Sequence, residues 1–222
     1  KEELTAKHLK SERLRVIDNG IDLSLFNNSG AALNLKKEFN IPVDSVVVTI
    51  IGRLSEEKGH SIFIKAAKKV LGTRKNVRFL IVGDGPLKEQ LQKDASRYNL
   101  NGSVIFSGIR KDMPDIYAIS DIFVNASSIE GLPMTILEAM ASKVPLIVTP
   151  VGAVPKVIRH NINGIIVDTG DWERLAREIC TLIDRPELRQ NLSAQAYKDV
   201  CSKFGFEIMA LRYKKIYQEI LS

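Results

Sequence analysis

From Val46 onward, short runs rich in Val, Ile and Phe alternate with longer stretches whose apolar residues recur at helical spacing, and few folds accept that rhythm. The runs at 46–51, 77–82, 104–106, 121–125, 145–149 and 164–167 are nearly continuous in apolar character. Strands of that kind belong to a parallel sheet covered on both faces, because a half-solvated strand alternates apolar with polar residues. Between them, Ile62, Phe63, Ala66, Ala67, Val70 and Leu71 make one stripe. Trp172, Leu175, Ala176, Ile179, Leu182 and Ile183 make a second, at i, i+3, i+4 and i+7 spacing. Beyond Asp184 only helical patterns follow, at 186–204 and 206–221. The expectation is an α/β chain, a Rossmann-like doubly wound parallel sheet finished by C-terminal helices. Ligands of such sheets lie past the carboxyl ends of the strands, so function is expected in the βα loops.

A chain of 222 residues with 45% hydrophobic content buries a sizeable core, which excludes a disordered tract or a disulfide-stapled miniprotein. The two cysteines, Cys180 and Cys201, stand in charged, helix-like surroundings without metal-ligand spacing, in keeping with a reducing compartment. No apolar run approaches the roughly 20 residues of a membrane span, and the opening residues lack the apolar stretch of a signal peptide. A cytoplasmic location is expected. Thirty-two Lys plus Arg against 26 Asp plus Glu leave a net charge of +6, which suits an anionic partner: a nucleotide, a nucleic acid or an acidic lipid face. Residues 1–15 are charged and helix-compatible, 15–17 are strand-like, and Asp18-Asn19-Gly20 reads as a turn.

Two βα loops carry the candidate chemistry. The first, Gly52-Arg53-Leu54-Ser55-Glu56-Glu57-Lys58-Gly59, leads from a strand into an amphipathic helix. Ser55 is expected to cap that helix, yet the position where a capping box wants Glu or Gln holds Lys58, a cation at the positive end of the helix dipole. A bound phosphate reverses the sign of that interaction, since Arg53, Lys58 and the helix-start amides then converge on an anion. The alternative is a solvated lysine beside two acids.

The second loop holds Ser127, Ser128, Glu130, Gly131, Leu132 and Pro133 and runs into a helix with Met134, Thr135 and Glu138. Pro133 is expected as the first helical residue, Gly131 permits close backbone approach, and the amides of Met134, Thr135 and Ile136 are expected to point outward. Glu130 then stands in the loop and Glu138 roughly 7.5 Å along the helix axis, at 1.5 Å per residue. An ionised carboxylate only accepts hydrogen bonds and grips two hydroxyls at once. Beside an anion-binding amide nest it suits vicinal sugar hydroxyls next to a phosphate, the combination a nucleotide sugar presents. In the competing reading Glu130 interacts with the helix dipole and Glu138 is a partly exposed helix residue.

Gly83-Asp84-Gly85-Pro86 lacks the last glycine of a dinucleotide fingerprint, position 88 being lysine, and reads as a turn. No two aspartates stand one residue apart, so the usual acidic handle on a metal-bound diphosphate is missing; no metal or cofactor is expected, and two cations are expected in its place. Of His8, His60 and His160, only His60 neighbours the first loop. Lys65, Lys68, Lys69, Arg74, Lys75 and Arg78 form a basic run, read as a solvated helix face or as a contact with a membrane or another domain.

Together these residues resemble the C-terminal, donor-binding domain of glycosyltransferase family 4 (group 1), retaining nucleotide-sugar transferases of the GT-B fold. The likeness runs from Val16-Ile17-Asp18-Asn19-Gly20-Ile21-Asp22 with Phe26, through Gly52-Arg53-Leu54 with Glu57-Lys58-Gly59 and Gly83-Asp84-Gly85-Pro86-Leu87, to Glu130 and Glu138 with seven residues between them. It implies that Arg53 and Lys58 hold the donor diphosphate, that Glu138 takes the ribose hydroxyls, and that Glu130 meets the transferred sugar near its anomeric centre. Arg53, Lys58 and Glu130 would then be the catalytic set. Gly52, Gly131, Leu132, Met134 and Thr135 complete the donor site, and the loop Gly108-Ile109-Arg110 lies near the base. The resemblance further implies a UDP-, GDP- or ADP-sugar donor and an oxocarbenium-like state, in cell-surface polysaccharide or glycolipid assembly. Residues 1–20 would be the tail of an N-terminal acceptor domain with its crossover, and 21–222 the donor domain, which alone turns over little. Contact with the cytoplasmic membrane face is part of the expectation, and nucleic acid is not.

Lys143 replaces a common glycine of that family, and Gly152-Ala153-Val154-Pro155-Lys156 replaces Gly-Gly-x-x-Glu, changes that bear on the loop after the fifth strand. Two other classes stay open on the residues themselves. One is a nucleotide-binding regulatory module without catalysis. The other is a nucleic-acid binder, suggested by charge but lacking interleaved aromatics.

Overall fold

A computed structural model describes residues 14–26 and 32–221. The helix-compatible reading of residues 1–13, and His8 with it, lies outside the described residues. Residues 15–17 carry no strand; Val16 is exposed, and among the described residues the first bridge is made at Ile21, against Gly205.

Helix α1 (Ala32–Glu38) precedes strand β1 (Val46–Ile51). Next come α2 (His60–Thr73), β2 (Val77–Val82), α3 (Lys88–Arg97), β3 (Val104–Gly108), α4 (Met113–Ala118), β4 (Ile122–Asn125) and α5 (Met134–Ala141). The chain ends with β5 (Leu146–Val148), α6 (Val154–Val157), β6 (Ile165–Ile166), α7 (Trp172–Asp184), α8 (Pro186–Lys203) and α9 (Phe206–Leu221). The six strands among the described residues pair in parallel, in the order β3-β2-β1-β4-β5-β6. The chain steps outward from β1 to β3, then returns to the other side of β1 with β4. A crevice therefore opens where the carboxyl ends of β1 and β4 send their loops in opposite directions, the place where open α/β sheets bind ligands.

Alternation along the strands divides the core. Val48, Ile50, Ile122, Val124 and Ile147 pack with α2 and α7 on one face. Val47, Phe123, Leu146 and Val148 face α1, α4, α5 and α8 on the other. The two stripes behave as read: Phe63, Ala67 and Val70 of α2 and Leu175, Ile179 and Leu182 of α7 are buried. Phe63 meets Phe79 of β2 edge-on at 5.4 Å. Each large side chain so removed from water contributes about 1.5–3 kcal/mol.

Lys143 closes α5 in a left-handed turn, φ 57°, with its ammonium 4.6 Å from the centre of the Tyr197 ring. It borders a surface cavity with Asp121 and Pro145, which precede β4 and β5, so this departure lies at the end of the sheet away from the crevice. Lys143→Gly relieves the strain of a side chain in that conformation and loses the ring contact. The net gain is about 1 kcal/mol or less, roughly 2 °C in Tm, readable by calorimetry, and ligand binding at the crevice should not change.

Candidate functional site

The first loop does not run straight into its helix. Glu56–Lys58 form a single 3-10 turn, Gly59 takes φ 72° and ψ 21°, and α2 starts at His60. Ser55 therefore does not cap α2. Its hydroxyl donates to Glu57 Oε1 at 2.6 Å, and that bond holds the Glu57 carboxyl below its usual range. The detour follows from crowding between loops: a Cβ on Gly59 would stand 2.1 Å from the carbonyl oxygen of Ala126, just beyond β4. The Ser128 amide donates to the Glu57 carbonyl at 2.8 Å and stitches the two loops together. From the side, the Gly83–Pro86 turn braces the Arg53–Leu54 segment through Leu54 N–H to the Asp84 carbonyl, 3.0 Å.

The second loop also starts its helix one residue later than expected. Pro133 is extended, at φ −70° and ψ 128°, and serves as the N-cap, so Met134 is the first helical residue. The Ile136 amide is taken by the Pro133 carbonyl at 3.2 Å, which leaves Met134 and Thr135 as the outward amides. Close backbone contact falls at Gly152 rather than at Gly131. A Cβ on Gly152 would lie 2.0 Å from the Glu130 carbonyl oxygen, whereas nothing stands within 4 Å of one on Gly131. Ala153 N–H donates to the Gly131 carbonyl at 2.9 Å, so the departing 152–156 stretch supports the second loop from behind.

These two loops bring Lys58 and Glu130 together. Lys58 Nζ donates to Glu130 Oε1 at 2.7 Å, across the crevice between β1 and β4. The same oxygen accepts from Ser127 Oγ at 2.7 Å and from Asn125 Nδ2 at 3.4 Å. The Glu130 side chain is only 8% exposed, so neither a solvated lysine nor a carboxylate serving the helix dipole describes the pair. Glu130 Oε2 has no partner among the described residues. Arg53 lies exposed in the first loop, with no hydrogen bond or ion pair to Lys58 or Glu130.

Glu138 stands on α5, half-buried, and burial lifts its carboxyl above the usual range, against a hydrogen bond from Tyr117 that lowers it. The Tyr117 hydroxyl lies 2.9 Å from Glu138 Oε2, and the phenol is fully buried, which pushes its own ionisation well up. His60 is buried behind the first loop, neither ring nitrogen has a partner among the described residues, and burial next to Lys58 lowers it to about 4, so it is neutral near pH 7. Ile109 is 75% exposed at the end of β3, but Arg110 is committed elsewhere, bonded to Asp112 at 2.6 Å and to Glu38 at 2.6 Å. Among the described residues no three His, Cys, Asp or Glu side chains cluster as a metal site. The roles of Tyr117 and Asn125 escape sequence reading, because a lone polar-tipped residue in an apolar run looks like core.

Residues 32–199 match the family described as glycosyl transferases group 1. The chain belongs to that family. The chain is 29% identical over 187 residues to the N-acetyl-alpha-D-glucosaminyl L-malate synthase of Bacillus anthracis, covering 84% of the chain and 49% of that protein. It thus spans about half the length of the curated relatives it matches. The solved C-terminal domain of LpcC from Francisella tularensis, a glycosyl transferase group 1 family protein, matches with a TM-score of 0.77 at 29% identity, over 84% of the chain and 100% of that domain. Anabaena HepE, solved in complex with UDP-glucose, gives a TM-score of 0.91 at 24% identity over 98% of the chain and 61% of HepE, a likeness of fold. The group 1 chain has the Rossmann-like C-terminal half of the GT-B architecture.

Proposed function

We propose that this chain binds a nucleoside-diphosphate sugar in the β1/β4 crevice and, with an acceptor-binding domain upstream to which residues 1–20 form the junction, transfers the sugar with retention of configuration. The observation that carries this reading is the Lys58–Glu130 pair spanning the switch point, with Glu138 on the helix that follows. Lys58 and Arg53 meet the diphosphate, Glu138 the ribose hydroxyls, and the unpartnered Oε2 of Glu130 a hydroxyl of the sugar. Ile109 borders the base. When the bond from the anomeric carbon breaks, its electron pair goes to the departing diphosphate oxygen, whose charge Lys58, Arg53 and the Met134 and Thr135 amides stabilise. The acceptor hydroxyl adds to the face just vacated and gives its proton to that diphosphate. In this reading protein cations neutralise the diphosphate, and no metal or cofactor is called on. The UDP-glucose held by HepE supports a UDP donor, with GDP and ADP as the other candidates.

Assembly of a cell-surface polysaccharide or glycolipid at the cytoplasmic membrane face belongs to the same proposal. No helix among the described residues is long and apolar enough to cross a membrane. In the basic run, Lys69 and Arg74 pair with Glu173 and Asp184 of α7, at 3.5 and 2.6 Å, and so bind two helices of this domain to each other. Lys65 and Lys68 border a shallow cavity with Tyr98 and Trp172, a basic and aromatic surface that suits an anionic lipid face.

A thermal-shift panel of UDP, GDP, ADP and their sugars tests the reading. A nucleotide present at about 100 times its Kd stabilises the fold by about 2.7 kcal/mol, and Glu138→Ala should remove most of the shift. If none of them moves Tm, the donor site is wrong. Binding without transfer by the full-length protein favours a regulatory module instead.

A further inference from the structure

Both glutamates of the crevice share one arrangement: one carboxylate oxygen is anchored by the protein and the other has no partner among the described residues. For Glu130 the anchors are Lys58 and Ser127, both in or beside the loops already described. For Glu138 the anchor is Tyr117, which reaches it from α4, 21 positions earlier in the chain. The phenol has little freedom. Its ring packs against Phe123 of β4, with centroids 5.8 Å apart, and against Phe26 at 6.0 Å, while its hydroxyl faces both Glu138 Oε2 at 2.9 Å and the Thr135 carbonyl at 3.0 Å.

One hydroxyl proton thus has two acceptors. With Glu138 ionised, the phenol donates to Oε2. With Glu138 protonated, the carboxyl donates to the phenol oxygen and the phenol turns its proton to Thr135. Either way Oε2 stays with Tyr117, and Oε1 is the oxygen left for a ligand.

We propose that Tyr117 is a positioning residue for ribose recognition: it fixes the Glu138 carboxylate so that Oε1 accepts from the vicinal hydroxyls of the bound nucleoside. This rests on the nucleotide-sugar reading above and deepens it. A ring locked by aromatic contacts gives the carboxylate an orientation before ligand arrives, so no rotamer freedom is lost on binding. Hydroxyls donate best to the ionised carboxylate, so nucleoside binding favours loss of any proton on Glu138. Burial favours the neutral form of Glu138; among the described titratable groups it is Tyr117 whose bond opposes this and favours the ionised form. Without the phenol, binding should need a higher pH.

The test is calorimetric titration of the chain and its variants with the best-bound nucleoside diphosphate of the panel and with its dideoxy analogue, which lacks both ribose hydroxyls. Tyr117→Phe should weaken the diphosphate about tenfold, the scale of one hydrogen bond to a charged group, and move the pH midpoint of binding upward. The dideoxy analogue should bind the variant as it binds the unaltered chain, which also shows that the variant is folded. In a Glu138→Ala background, which has no carboxylate to position, Tyr117→Phe should cost nothing further. Equal losses for both ligands, or no loss for either, overturn the positioning role while Glu138→Ala still weakens the diphosphate. If Glu138→Ala itself has no effect, the ribose assignment fails and the inference fails with it.

Discussion

Lys58→Ala will lower sugar transfer by the full-length enzyme about a hundredfold, the equivalent of about 3 kcal/mol of transition-state stabilisation. The ammonium is held at the crevice before any ligand arrives, by a bond of 2.7 Å to Glu130, so it meets developing charge without reorganising. The same substitution has a separate cost to stability. Glu130 keeps Ser127 and Asn125 but loses its cation in a nearly sealed position, worth about 1–3 kcal/mol, or several degrees of Tm. Glu130→Gln separates the two effects, because the amide oxygen still accepts from Ser127 and Lys58 while the charge is gone. Its Tm should fall less than that of Lys58→Ala, and transfer should fall in both. Initial rates at saturating donor, with melting curves on the same preparations, decide the matter; a Lys58→Ala enzyme working at the unaltered rate would end the assignment.

The layer order was legible because continuous apolar strands and 3.6-residue stripes are set by local pattern. The strands at 46–51 and 77–82 fall on β1 and β2 residue for residue, and the Trp172 stripe falls on α7. What the pattern could not place was decided by backbone crowding between segments far apart in sequence. Ser55 has the chemistry of a helix cap, but the loop must pass Ala126 first, and the helix start moves to His60. Pro133 has the chemistry of a first helical residue, yet its ψ of 128° is extended and the helix starts at Met134, after a loop whose Glu130 and Gly131 carbonyls leave no room for a side chain at Gly152. Lys58 looked like a cation in an unfavourable place because its partner lies 72 positions away, after a different strand. The partners of Glu138 were hidden for the same reason: Tyr117 joins it only once β4 has laid α4 beside α5.

Gly59→Ala should be among the most damaging single-methyl changes in the chain. At φ 72° an alanine carries the strain of the left-handed region, about 1–2 kcal/mol, before any contact is considered. Its methyl would also stand 2.1 Å from the Ala126 oxygen and 2.9 Å from the Ala126 Cβ, and backbone cannot rotate away as a flexible side chain can. Moving the loop to make room costs about 1–3 kcal/mol more, so the total comes to about 3 kcal/mol and roughly 10 °C in Tm. The displacement has a direction. It pushes the segment after β1 away from the segment after β4, breaking the Ser128–Glu57 bond and parting Lys58 from Glu130, so the folded fraction should also lose nucleotide affinity. Gly72→Ala is the internal control: it lies exposed near the end of α2 with nothing within 4 Å of an added methyl, and there the better helix former should stabilise by about 0.5–1 kcal/mol. Paired melting curves with nucleotide titration separate the cases. If Gly59→Ala melts like the unaltered chain and binds nucleotide as well, the two loops are not locked together, and the preformed Lys58–Glu130 pair cannot be what the crevice is built around.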